Sequence, residues 1–117
     1  MNRSDLERLR DARDFARYAR DNAGGLSAEA LAEAKQPQHA TLYDLAIIGE
    51  TLSRVSAEVK STTSVIEWKA FADLRNFIVH AYWQIDFDIV ADVIKKELDP
   101  LARELNTLIA VLENSDK

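Results

Sequence analysis

Leu74–Asp86, LRNFIVHAYWQID, sets an arginine, an amide, an imidazole and a phenol (Arg75, Asn76, His80, Tyr82) among the most apolar residues of the chain. A guanidinium or an imidazole does not enter such surroundings unpaired, because a buried polar group without a partner is costly. His80, flanked by Phe77, Ile78, Val79 and Ala81, can serve as a proton-transfer group, a metal ligand or a core residue with its hydrogen bonds satisfied. On a helix, Asn76 and His80 stack one turn apart on one face. Arg75 stands one step round from Asn76, and Tyr82 lies over Arg75 two turns on. This set suits chemistry on a phosphodiester: Arg75 neutralises charge growing on the phosphoryl oxygens, His80 moves the proton, and Asn76 and Tyr82 position the group. Arg75 and His80, five residues apart, are separated by about 140° on an ideal helix. Either the helix is distorted near His80, or a second copy of the chain completes the site.

The elements that must carry these residues read as helices. The 117 residues suit one domain spanning 1–117, and a 47% hydrophobic content with three glycines and two prolines points to a compact helical protein. There is no cysteine, which excludes disulfides and thiolate metal sites and fits a reducing cytoplasm. No apolar run reaches membrane-spanning length, and Met1–Arg10 is too charged for a signal peptide. A net charge of −5 argues against a general nucleic-acid coat while leaving room for a local basic site.

Taken in order, Ser4 caps a first helix that runs to about Ala23 and is ended by Gly24-Gly25. Arg10, Arg13, Arg17 and Arg20 recur on it at helical spacing, with Arg3 on the same side. They form either a solvated face paired with Asp14, Asp21 and their neighbours, or a track for RNA or an acidic partner. A short helix over Leu26–Lys35 opens at Ser27 and stops at Gln36-Pro37-Gln38, leaving His39 in a loop. Thr41 and Asp44 resemble a capping box for a third helix with the stripe Leu42, Leu45, Ile48, Leu52, Val55 and Val59. Gly49 within it predicts a close helix approach, and a solvent-facing Glu50 is the commoner expectation. Lys60–Ser64 is a polar linker, followed by the motif helix from about Val65 to Tyr82. Asp86 then caps a last apolar series, Phe87, Val90, Ile94, Leu98, Leu101, Leu105, Leu108 and Leu112. Its phase continues across Pro100, so one bent helix or two nearly collinear ones are expected, with Asp99 a ready cap for a restart. The expected fold is an all-α up-and-down bundle of four main helices plus a short one, with no strands.

Arg75-Asn76, His80 and Tyr82, read as R-N-x-x-x-H-x-Y and followed by Trp83 and Ile85-Asp86, resemble the signature of the HEPN superfamily, in particular the HepT-like minimal HEPN toxins. Ile48-Gly49-Glu50 and Trp68 fall where that family has comparable residues; Ser61–Val65 lacks the proline many relatives place before the tryptophan. The resemblance implies a metal-independent endoribonuclease, the toxin of a toxin–antitoxin pair, with Arg75 on the phosphate, His80 in proton transfer, and Asn76 and Tyr82 positioning. No clustered carboxylate or His/Cys set with metal-ligand spacing is visible, so neither metal nor cofactor is expected. The resemblance further implies a homodimer with the motifs facing across a cleft. It also implies a minimal nucleotidyltransferase antitoxin that attaches AMP to Tyr82. Two alternatives remain: a HEPN domain that binds nucleotides or RNA without cutting, and a helical adaptor in which Arg75, His80 and Tyr82 make buried hydrogen bonds.

Overall fold

The computed structural model describes residues 4–115; Arg3, expected beside the arginine stripe, lies outside them. Helix α1 (Asp5–Ala23) begins where the sequence places it, in a capping box: Ser4 Oγ accepts from the Glu7 N–H and the Glu7 carboxylate accepts from the Ser4 N–H. It ends on Gly24, whose φ of 59° is left-handed and whose N–H donates to Arg20 O. The buried face of α1 is Leu9, Ala12, Ala16, Ala19 and Ala23, and this run of small residues lets neighbouring helices come close.

Helix α2 (Ala28–Glu33) is capped by Ser27 as expected. The predicted break at Gln36-Pro37-Gln38 is absent, because α3 (Lys35–Ser53) starts before it. Pro37 falls in the first turn, where a missing N–H breaks no intrahelical bond. His39 is therefore an exposed helical residue and not part of a loop. The Thr41–Asp44 capping box is also overturned: both residues are buried inside α3, and Asp44 accepts a 2.6 Å hydrogen bond from Asn22 of α1. Helix α3 stops at Ser53, short of the predicted stripe. Val55 and Val59 still reach the core, the second from the short α4 (Ala57–Lys60).

Helix α5 (Trp68–His80) is shorter than predicted at both ends. Ile66 is buried ahead of it, and beyond it the backbone turns at Ala81 (φ −135°, ψ 38°) into a 3-10 turn over Tyr82–Gln84. Asp86 caps α6 (Phe87–Asp92), its carboxylate accepting from the Asp88 N–H at 2.9 Å. From there the chain continues without a break through a π-helical stretch, Val93–Glu97, into α7 (Leu98–Ser115). The Leu98 N–H donates to Val93 O, five residues back. This wider turn stands just before Pro100, which offers no N–H to the Lys96 carbonyl. No restart occurs at Asp99, whose carboxylate instead receives Arg20 at 2.8 Å.

The result is an all-α bundle of four long helices and three short ones, with no strand among the described residues. Helix α3 is central, with α1 on one side and α5 on the other; α7 covers the far side of α1. Leu9, Leu45, Ile48, Leu52, Leu98 and Leu105 are fully enclosed. Helix α5 rests chiefly on α3. Its other flank opens on a groove of about 300 Å³ lined by Ala70, Leu74, Ile89 and Val93. Among the described residues no helix is long and apolar enough to cross a membrane.

Candidate functional site

The site is built where α3 and α5 cross. A Cβ on Gly49 would collide with Arg75 Cβ and with the carbonyl of Phe71. Any side chain at 49 would therefore wedge the helices apart at the residue that carries the guanidinium. The close approach predicted from this glycine is present, and its purpose is to lay Arg75 against α3.

Glu50, next along α3, does not point away into solvent. Its carboxylate lies between two arginines: Oε2 is 3.3 Å from Arg75 Nε, and Oε1 accepts from Arg54 Nε at 2.6 Å. The hydrogen bond from Arg54 is the main reason the Glu50 pKa is lowered; burial opposes it, and the charges of Arg54 and then Arg75 add smaller lowering effects. Arg75 in turn donates from Nη1 to Asn76 Oδ1 at 3.0 Å. One of its five N–H groups is thus hydrogen-bonded, Nε lies in the Glu50 ion pair, and the Nη2 edge has no partner among the described residues. Such a guanidinium is oriented yet still able to take phosphoryl oxygens. Glu50 stood out in the sequence beside Gly49, able to face the motif helix though more commonly solvent-facing, and Arg54 had no signal of its own; that the two pair and that Glu50 also grips Arg75 is a tertiary fact.

His80 is the last residue of α5 and is exposed. The helix is regular through it, so the distortion that could have swung His80 toward Arg75 is not there. The backbone departs from helix only at Ala81. Tyr82 consequently does not lie over Arg75, as a longer helix would have placed it. It sits on the 3-10 turn, 69% exposed, with its ring edge-on to Trp83 at 5.5 Å. Asn76 shares an open face with His80, one turn away. An adaptor held by buried hydrogen bonds at His80 and Tyr82 does not fit these exposures.

The arginine stripe of α1 faces α7. Arg10 pairs with Glu113 at 3.1 Å, Arg13 with Asp14 at 3.1 Å and with the Asn106 amide oxygen at 3.3 Å, and Arg20 with Asp99. Arg17 is exposed and has no ion pair among the described residues. None of the four stands with Arg75 or His80.

The chain matches the family model described as Ribonuclease HepT-like over residues 6–108, which takes in α3, α5 and the whole motif segment, nearly all of α1 and the first part of α7. This chain belongs to the HepT-like ribonuclease family. A candidate RNase of Methanocaldococcus jannaschii is 23% identical over 96% of this chain and 87% of its own length. A protein of Thermococcus cleftensis named for ribonuclease HepT is 27% identical over 63% of this chain and 67% of its own. A third relative, from M. jannaschii, joins a gamma-glutamylcyclotransferase to a candidate RNase. It is 29% identical over 68% of this chain, and the match spans 35% of its length. No solved structure matches this HepT-like chain at a significant level.

Proposed function

We propose that this HepT-like chain is a metal-independent endoribonuclease and the toxin of a toxin–antitoxin pair. The observation that carries the reading is Arg75, oriented by Glu50 and Asn76 with its Nη2 edge unpartnered among the described residues, in one segment with an exposed His80. In the proposed reaction a ribose 2′-hydroxyl loses its proton to a base and attacks the adjacent phosphorus. The bond to the 5′ oxygen of the next nucleotide breaks, and that oxygen takes up a proton. His80 performs the proton transfer and Arg75 balances the added charge on the phosphoryl oxygens. Asn76 positions the arginine it accepts from.

The angle between Arg75 and His80 on a regular helix supports a site completed by a second copy, with Arg75 of one chain working beside His80 of the other. The open apolar flank of α5 gives a homodimer a surface to bury. Tyr82, exposed on its turn, is the residue that a nucleotidyltransferase antitoxin would modify. Its phenolic oxygen attacks the α-phosphorus of ATP, AMP is attached, and pyrophosphate leaves. The added phosphodiester and nucleoside would then compete with RNA for Arg75.

The experiment measures RNA cleavage with EDTA present. His80→Ala and Arg75→Ala should each abolish it while the far-UV helical spectrum stays intact, and mixing the two variants should restore part of the activity. Full cleavage by either variant overturns the mechanism. Cleavage by a monomer, established by sedimentation at low micromolar concentration, overturns the shared site. Tyr82→Phe should still fold and cut but escape modification; AMP found on another residue by mass spectrometry removes the assignment.

A further inference from the structure

Three rings meet on the α1–α3 surface, two of them exposed, and none of them belongs to the motif. Tyr18 is 50% and Tyr43 60% exposed. Partly buried Phe15 lies between them, edge-on to Tyr18 at a centroid distance of 5.2 Å and tilted to Tyr43 at 6.2 Å. Single exposed aromatics are ordinary, but this is a contiguous path of rings, two of them at least half exposed. The core beneath is closed by Ala12, Ala16 and Ala19, so the exposed halves of the tyrosines add little to it.

The position of the rings relative to Arg75 gives them meaning. Tyr43 is seven residues before Glu50 on α3, two turns along the same face, or about 10 Å. Glu50 is the residue that grips Arg75. Tyr43 is therefore offset along α3 from the residue that grips Arg75 by about three nucleotides of a stacked strand, at roughly 3.4 Å per nucleotide, and Phe15 and Tyr18 continue the path onto α1.

We propose that Tyr43 and Tyr18, backed by Phe15, form a nucleobase-stacking subsite for single-stranded RNA beside the phosphate held by Arg75. The proposal rests on the ribonuclease reading for its substrate. A chain with a net charge of −5 gains little affinity from its overall field, and stacking supplies affinity that does not depend on it. Every base has a π-face, so such a platform tolerates sequence while fixing where the strand lies.

The test uses the full chain and short RNAs carrying 2-aminopurine one to three nucleotides from the cut. Tyr43→Ala and Tyr18→Ala should each raise KM about five- to tenfold with kcat nearly unchanged, at the lower end of base–aromatic stacking. The quenching of 2-aminopurine on binding should fall with them. Tyr43→Phe and Tyr43→Trp, which keep a ring, should retain both properties. On an uncleaving His80→Ala background, Tyr43→Ala should weaken RNA binding without changing the slope of affinity against salt, whereas Arg75→Ala should change that slope. Unchanged KM and quenching in Tyr43→Ala, in a protein that still cuts, overturns the subsite and leaves the ribonuclease standing. Ring-dependent RNA binding by a wild-type chain that never cuts supports the subsite and overturns the ribonuclease. A Tyr43→Ala chain that changes its sedimentation and not its RNA binding assigns the face to an interface between copies, against the proposal.

Discussion

The arginines of α1 and the arginine of α5 look alike in composition and differ in everything that makes a site. Arg10, Arg13 and Arg20 meet acidic or amide groups across the open seam with α7 or on their own helix; Arg20 and Asp99 remain 62% and 48% exposed in their pair. Water screens such contacts, and each is worth at most about 1 kcal/mol. Arg75 is 30% exposed, and its backbone is pressed onto α3 by a glycine. Its guanidinium is held at Nε by Glu50 and at Nη1 by Asn76. Helical spacing produces a stripe of charge. A site needs a second element close enough to restrict where the charge can go.

The sharpest way to break this comparison is to swap lysine for arginine in both places. Arg75→Lys keeps the charge but removes the planar fork, and should lower kcat for RNA about 10²- to 10³-fold. Arg20→Lys should leave cleavage unchanged. Equal, small effects at both positions would show that Arg75 acts only as a point charge.

Gly49→Ala comes next. On an exposed helix this change stabilises by up to about 1 kcal/mol. Here the Phe71 carbonyl and Arg75 Cβ occupy the space, so the sign should reverse to a destabilisation of about 1–3 kcal/mol, read by urea unfolding, with cleavage reduced as well. A stabilised, fully active variant would mean that the helices do not need this approach.

Glu50→Gln should lower kcat about tenfold with little change in KM, as loss of a charge partner that orients a group acting in the transition state. The pH dependence has a definite sign. The pKa of Glu50 is lowered in the folded chain, so its contribution to stability is complete above the ordinary glutamate range and is lost as pH falls through the lowered value. Thermal melts of the wild type and Glu50→Gln should keep a constant separation at neutral pH and converge only in acid. Convergence near neutrality would mean that another group is titrating.

The smallest effect belongs to the stripe. Arg20→Ala and Arg10→Ala should each cost under about 1 kcal/mol, diminishing with salt, and leave the rate of RNA cleavage unchanged. A several-fold fall in RNA affinity would instead place α1 in the path of the strand.

Much of this was readable from spacing alone. Ser4, Gly24 and Asp86 mark helix ends because their preferences are local: a side-chain acceptor for free N–H groups, or a backbone free to turn left-handed. The apolar series from Phe87 to Leu112 forecast a long helical arm, and R-N-x-x-x-H-x-Y named the family that the chain proved to belong to. Errors arose where one residue type has two uses. Pro37 read as a breaker but sits harmlessly in a first turn, and Asp44 read as a cap but is buried against Asn22. Across Pro100 the spacing left one bent helix or two nearly collinear ones; a π-helical stretch just ahead of the proline keeps the chain continuous, and the Asp99 carboxylate receives Arg20 in place of capping a restart.

Residue types and their order along the chain determined the helices, the motif and the chemistry that the motif can perform. Which face of α3 meets α5, whether Glu50 turns to solvent or to Arg75, and where Tyr82 comes to rest were decided by tertiary structure. Local preferences act over a turn or two of chain. The grip on Arg75 joins residues 25 positions apart, and it exists only once Gly49 has let two helices close on each other.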